Sequence, residues 1–356
     1  MNPVGGRLDP GPWPVASSTA REDRPRDRIR VYATCPQSAG TDPRRYHSAV
    51  VDVARWSEEA GCEGILVYTD NRLVDPWLVA QAIISATQRL APLVAVQPLY
   101  LHPYAAAKMV ASLAHLHGRR VDLNMLAGGF KNDLTVLGDA TPHDERYART
   151  VEYASVMQRL LAGDGPVEHE GRYYLLNGAR LSPSVPAHLA PGWMISGSSP
   201  AGLEAARALG AVAIKYPAPA TDERPEVGVE TGVRVGLVAR PTREEAWAVA
   251  RDRFPETRAG RVLHGLAMKA SDSHWHRQLS EAAAAAGEGD GVYWLGPFQH
   301  YQTFCPYLVG SYEEVAAQLR GYVGLGHRTF VLDIPPSRAE LEHTGTVFDA
   351  VGAASS

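Results

Sequence analysis

Residues 193–210 read WMISGSSPAGLEAARALG, three physical pieces in a row. Trp193, Met194 and Ile195 form a short apolar run suited to a buried parallel strand. Ser196 to Ser199 make a tight polar turn, and Pro200 opens an alanine-rich amphipathic helix. A proline at the first helical position costs nothing, because the N–H it lacks would be unpaired there. The turn therefore presents backbone N–H groups, the hydroxyls of Ser198 and Ser199 and the positive end of a helix dipole, and Gly197 allows close approach. Those are the parts of an anion or phosphate cup. Taken alone, the same turn also fits an N-capped helix that binds nothing, so the choice rests on the rest of the chain.

Outward from this unit, strand and helix patterns alternate, the mark of a parallel sheet with helices packed outside. Toward the N-terminus the strands are Arg30–Thr34, 64–68, 93–96 and 121–125, with helices over 46–60, 76–87 and 103–116 between them. The fourth strand, VDLNM, alternates polar and apolar residues and carries Asn124 near its end. A helix over 143–161 follows, and 171–176 reads as a small hairpin strand outside the main repeat. Beyond the opening unit come strands at 211–216 and 232–240, a helix over 243–253, an irregular region from 254 to 310 with a helix at 279–286, a helix over 312–325 and the buried strand 329–334. About eight β-units suit a closed (β/α)8 barrel, with an open doubly wound sheet as the alternative. The anion cup lies late in the chain and no GxGxxG follows the first strand, which favours the barrel.

Composition excludes several functions. The chain has 356 residues, 45% hydrophobic and 21% charged, with a formal net charge of −4 and scattered Lys and Arg, which argues against gripping nucleic acid. Cys35, Cys62 and Cys305 are too few and too far apart for a disulfide framework or a metal cluster, so no metal site is expected and a reducing cytoplasm fits. No run approaches eighteen apolar residues, so no membrane span is expected. Residues 1–27, rich in Gly, Pro and Arg, read as a flexible arm; 28–345 read as one barrel domain with a lid insertion at about 254–310, and 346–356 as a tail.

Several blocks occur in an order that resembles the bacterial-luciferase-like flavin monooxygenases, the alkanesulfonate monooxygenase branch in particular. They are EEAGCEGILVYTDNRLVDPWLVAQAIISATQRLAPLVAVQP, GRRVDLNMLAGG, HDERYARTVEYASVMQRLL, ISGSSPAG, GVRVGLVARPTREEAW and YLVGSYEEVAAQLRGYVGLGHRTFVLDIP. Together they cover most of residues 46–334; their joint order carries the likeness, since each block alone is weakly specific. The resemblance implies a (β/α)8 barrel, reduced FMN supplied by a separate flavin reductase, O2 and a small organic substrate, in a homodimer or homotetramer. It also implies that Asn124 lies beside the flavin ring and that His143, Tyr147, Ser198 and Ser199 hold the FMN phosphate. Independently, a phenol, an imidazole, two hydroxyls and a helix N-terminus make a dianion site that needs no lysine.

The chain also departs from that branch. The strand with Arg234 carries Gly236 where the desulfonating enzymes have a histidine on the same face, which predicts open space there. Pro335 stands in place of a tyrosine, Leu73 of a cysteine, and Tyr301 near the position of a lid arginine. The lid is instead aromatic, with Tyr293, Trp294, Phe298, His300, Tyr301 and Phe304, which suits either a cover over an apolar substrate or a packed wall. Only a short proline-containing loop joins 216 to 232, where the family has a helix. A simple alkanesulfonate is therefore not the expected substrate.

Arg234 is the candidate for stabilising an anionic substrate or oxygen species, and Asn124 offers a neutral amide to the flavin. His102, in the turn after the third strand, is a candidate acid or base. Gln97, Tyr100 and Lys215 are expected at the barrel mouth, and Cys35 beside the flavin pocket. Two other functions remain open at this stage: a deazaflavin-dependent dehydrogenase on the same barrel, and a flavin-binding protein without turnover.

Overall fold

The computed structural model of the protein describes residues 28–129, 131–270, 279–280 and 291–353. In chain order its strands are β1 (Arg30–Thr34), β2 (Gly64–Val67), β3 (Ala91–Val96), β4 (Asp122–Met125), β5 (Val167–Glu170), β6 (Leu175–Ala179), β7 (Trp193–Ser196), β8 (Val212–Lys215), β9 (Thr231–Arg240), β10 (Tyr293–Trp294), β11 (Tyr307–Ser311) and β12 (Thr329–Leu332). Parallel pairing runs β9-β12-β1-β2-β3-β4-β7-β8, and the β8–β9 ladder closes the ring. This is an eight-stranded (β/α)8 barrel. The open doubly wound alternative is excluded by that last ladder.

Strand chemistry explains which face points where. β2 and β3 are buried along their whole length, between the barrel interior and the outer helices. The alternation in β4 has a specific cause. Leu123 and Met125 pack outward in the cluster with Tyr153 and Met157 of the His143–Ala162 helix, while Asp122 and Asn124 belong to the opposite, inner face. Asp122 closes the barrel floor: its carboxylate accepts from the Tyr32 hydroxyl at 3.0 Å and from the Gly192 N–H at 2.7 Å, and Arg120 pairs with it at 3.1 Å. Gly64 leaves the room that Tyr32 fills, since a Cβ there would lie 2.6 Å from the ring. Asn124, two residues on, faces the open end.

Helices start where the sequence supplies a cap followed by proline. Asp42, Asp75, His102 and Ser199 each accept a first-turn N–H, ahead of Pro43, Pro76, Pro103 and Pro200. Gly118, Gly163 and Gly210 end their helices in the left-handed conformation.

Two elements differ from the expectation, and two others lie partly or wholly outside the described residues. The hairpin is real, but its strands are β5 and β6, and residues 171–174 are the turn between them. Residues expected as a tail from 346 continue the Arg338–Ala353 helix, which buries Val347 and Val351 against the barrel. Of the helix expected over 279–286, only 279–280 lie among the described residues, and the arm at 1–27 lies outside them.

No helix joins β8 to β9. The connecting loop covers the wall there by its own hydrogen bonds: Glu223, buried in it, accepts from the Ala218 N–H at 2.7 Å, and Ala218 O accepts from the Tyr322 hydroxyl at 2.8 Å. β9 is long because it serves two ladders. Its first half pairs with β12 and β8 within the barrel, and residues 236–240 then pair with β11, the returning strand of the insertion.

Candidate active site at the barrel mouth

The carboxyl ends of the strands surround a cavity that opens at the mouth of the barrel. This is where barrel enzymes place their chemistry. Asn124, His143, Tyr147, Gly197, Ser198 and Ser199 all line it, as do Gln97 and Arg234.

One wall is the turn between β7 and the Pro200–Leu209 helix. Ser199 is the N-cap, accepting from the Gly202 N–H at 3.2 Å, so its hydroxyl hydrogen is left to donate elsewhere. Gly197 has φ +152°, and a Cβ on it would lie 2.2 Å from the Tyr147 hydroxyl. The glycine therefore lets the phenol reach the turn. Tyr147 is buried, and the His143 ring meets it edge-on at 5.2 Å. His143 also bonds Asp144 at 2.7 Å through Nδ1. On the inner wall the Ser196 hydroxyl donates to Asn124 Oδ1 at 3.0 Å, which orients the amide and turns its NH2 group elsewhere.

Arg234 stands across the cavity, only 5% exposed. One face of its guanidinium lies over the Tyr68 ring at 4.8 Å. Its Nε and Nη2 have no hydrogen-bond acceptor among the described residues, and Nη2 is 3.7 Å from Asp333 Oδ1. Asp333 is the first residue past β12, and its other oxygen accepts from the Tyr307 hydroxyl at 2.8 Å and the Thr303 hydroxyl at 2.7 Å. Burial, reinforced by the nearby Asp333 charge, holds the Tyr307 phenol well above its usual range, so it stays a donor. Buried Gln97 also reaches the cavity, with its Nε2 lacking an acceptor among the described residues. At the rim are Asp70, Arg72 and Asp133; burial and then the Asp70 charge push the Asp133 carboxyl up.

The space expected at Gly236 is not open. Gly236 is the register partner of Tyr307, and a Cβ at 236 would lie 2.2 Å from the tyrosine ring, which fills the volume. The sequence reading had no means of seeing this strand pairing.

Other candidates lie away from the cavity wall. His102 caps the Pro103–His117 helix through Nδ1, accepting from the Tyr104 N–H at 3.2 Å, and its ring packs on Tyr174. Cys35 is buried among Val50, Ile65 and Val79, and burial pushes its thiol up to about 12. Burial alone would lower the Lys215 ammonium, but ion pairs to Glu223 at 2.7 Å and Glu226 at 3.1 Å outweigh it and raise it. Tyr100 lines an adjoining cleft and donates to Asn71 at 2.7 Å. Tyr301, with a φ of +56°, sets its ring edge-on to Phe304 at 5.6 Å, and of the six lid aromatics only Phe304 lines the cavity. Trp294 instead packs on Trp247 and Phe254, and Phe298 is buried beside His264, so most of this aromatic stretch is wall.

The sequence reading missed Tyr68, Thr303, Tyr307 and Asp333. Asp333 carried a usable signal: in TFVLDIP it is the lone charge directly after a buried strand, the position that faces a barrel's mouth. Among the described residues no group of His, Cys, Asp and Glu is arranged to hold a metal, and no helix is long and apolar enough to cross a membrane.

Comparison with known proteins gives one consistent result. The family model described as luciferase-like monooxygenase matches residues 28–329. Over 335 residues, 91% of this chain and 98% of the relative, the sequence is 33% identical to BtrO of Niallia circulans, named as a 4-(gamma-L-glutamylamino)butanoyl-(BtrI acyl-carrier protein) monooxygenase. Riboflavin lyase (RcaE), solved with modified FMN and riboflavin, superposes with a TM-score of 0.72 at 19% identity, covering 91% of this chain and 92% of that one. An F420-dependent secondary alcohol dehydrogenase superposes with a TM-score of 0.63 at 16% identity, over 91% and 99%. The last two likenesses concern the fold alone.

Proposed function

Because the chain belongs to the luciferase-like monooxygenase family, we propose that it is a two-component FMN-dependent monooxygenase, acting on a small organic substrate that is not a simple alkanesulfonate. The observation that carries this reading is the donor set at one end of the cavity. Two serine hydroxyls, a helix N-terminus, a buried phenol and an imidazole converge around Gly197, whose missing side chain lets the phenol in. That set fits a phosphate dianion and contains no lysine. His143, Tyr147, Gly197, Ser198 and Ser199 would hold the FMN phosphate, and Asn124, oriented by Ser196, would meet the flavin ring. Reduced flavin, once bound, supplies the electrons for O2 activation; the protein's tasks are to hold it, exclude water and place the substrate.

Those tasks fall to named groups. Leu66, Ala95, Ile214 and Phe304 give the cavity apolar wall, which excludes water. Arg234, whose side chain lines the cavity, would supply the positive charge facing an anionic part of the substrate. BtrO is named for an acyl group on a carrier protein, which agrees with the loss of sulfonate-handling groups at Gly236, Leu73 and Pro335. A flavin reductase as electron donor, a cytoplasmic location and a homodimer or homotetramer belong to the same reading.

An anaerobic titration tests it. Reduced FMN is expected to quench tryptophan fluorescence with a micromolar or lower Kd and oxidised FMN to bind weakly, and admitting O2 is expected to drive turnover. Tight binding of reduced F420 with oxygen-independent turnover would instead establish a dehydrogenase. Binding of FMN that no substrate or O2 ever discharges would leave a flavin-binding protein.

A further inference from the structure

A second cleft adjoins the central cavity, between the loops that follow β2 and β3. Leu73, Pro76, Trp77, Ala95, Val96 and Leu101 give it apolar walls, and Leu73 and Leu101 are only half-buried, so a ligand can reach them. The two spaces share Thr69, Asp70, Leu73, Ala95 and Gln97, so single side chains part them. The junction lies next to the position proposed for the flavin ring: Ala95 is the register partner of Asn124, and both line the central cavity. At that junction Ala95 contributes no more than a methyl group.

Hydrogen bonds to three neighbouring loops hold the cleft in shape. The Val74 N–H donates to Ser38 Oγ at 3.0 Å in the loop after β1, and the Asn71 side-chain amide donates to Asp133 O at 3.0 Å past β4. The Tyr100 hydroxyl, past β3, donates to Asn71 Oδ1 at 2.7 Å. Walls fixed in this way bind a ligand without the cost of ordering them first. Charge then sets the class of ligand. Among the residues lining the cleft none is basic, and two are aspartates. Both aspartates are already partnered: Asp70 accepts from the Arg72 N–H at 2.6 Å and lies 3.7 Å from its guanidinium, and Asp75 caps the next helix through the Trp77 N–H at 2.9 Å. A cation therefore gains little there, an anion is repelled, and an uncharged chain meets apolar wall.

We propose that this cleft is a subsite for an uncharged, mainly apolar chain of the substrate, whose reacting end lies beside Asn124. The inference rests on the oxygenase reading for the word substrate; its physical content is a chain-binding cleft that opens off the flavin cavity. Leu73, at the junction, and Leu101, which lines the cleft but not the central cavity, are the residues that set the length accepted.

The test uses the full chain and the primary amides from butanamide to octanamide as probes, titrated anaerobically by calorimetry with and without reduced FMN. Affinity is expected to rise about fourfold per added methylene. Suberamate and 8-aminooctanamide, the same chain ending in a carboxylate or an ammonium, are expected to bind at least about tenfold more weakly than octanamide. Leu101→Trp fills the cleft: octanamide is expected to lose at least about tenfold while butanamide and reduced FMN bind as in the parent. An octanamide carrying a diazirine near its chain end gives the location directly, and its crosslinks, mapped by mass spectrometry, are expected within residues 73–77 and 100–101.

A chain-length series unchanged by Leu101→Trp, crosslinks confined to other parts of the surface, or suberamate binding as tightly as octanamide overturns the proposal. Should Leu101→Trp fail to fold, the crosslink map on the parent chain decides alone. Failure of reduced FMN to bind removes the functional reading, and the amide titration without flavin still decides the cleft. A chain that holds reduced FMN and shows no gain from butanamide to octanamide removes only this proposal.

Discussion

Gly236 and Tyr307 face each other across the ladder between β9 and β11, and the tyrosine ring occupies the volume a side chain at 236 would need. The relationship couples the barrel to its insertion two residues along β9 from Arg234. Gly236→His is therefore expected to destabilise the fold by about 1–3 kcal/mol through overpacking. Combined with Tyr307→Ala, its cost is expected to fall short of the two single costs added together by at least about 1 kcal/mol, since one change makes room for the other. Denaturant unfolding of the four proteins measures both quantities.

Gly197 holds a φ of +152°, and its missing Cβ admits the Tyr147 hydroxyl. Gly197→Ala is expected to weaken reduced FMN at least about tenfold by displacing the phenol and twisting the turn. In the double variant with Tyr147→Phe, the clash is relieved but the backbone strain stays and the phenol's hydrogen bond to the phosphate is lost, so binding is expected to recover only in part. Anaerobic fluorescence titration of the parent and the two variants measures both effects.

His102 is the N-cap of the Pro103–His117 helix. His102→Ala is expected to cost about 1 kcal/mol of stability and His102→Asn almost nothing, with turnover unchanged in both. A drop in kcat at constant stability would return His102 to the chemistry.

His327 is fully buried, with neither ring nitrogen hydrogen-bonded among the described residues. Burial pushes its pKa down from 6.5 to about 4, helped by Lys215 and Arg328 and opposed by Glu223 and Glu226. Since the folded value is depressed, the unfolded chain takes up the proton first. Stability is complete above pH 6.5 and declines as pH falls toward about 4, by up to roughly 3 kcal/mol from this group. Unfolding midpoints measured from pH 7.5 to 4 are expected to fall less steeply in His327→Phe than in the parent. Parallel curves would show that His327 carries no part of the acid sensitivity.

What the sequence made legible follows from where the information lies. The order of barrel strands, the strand–turn–helix around 196–199 and the polar alternation of β4 are local patterns, each set by a few adjacent residues. The arrangement around Arg234 is not local: Asp333, Tyr307 and Thr303 meet it through ladders that join residues up to about a hundred positions apart. Alternation along β9 told which way position 236 faces, and could not tell that another strand's ring would arrive there. The same limit applies to His102, where a cap and a catalytic imidazole are written identically at a proline-led helix start.

β9 anchors both ends of the insertion, since the segment leaves from its carboxyl end and returns through β11, which docks alongside the same strand. The described residues between 241 and 306 thus hang from a single strand at both ends. Changes of length or sequence within that segment are therefore transmitted to the eight-stranded ring through β9 and the ladder it shares with β11.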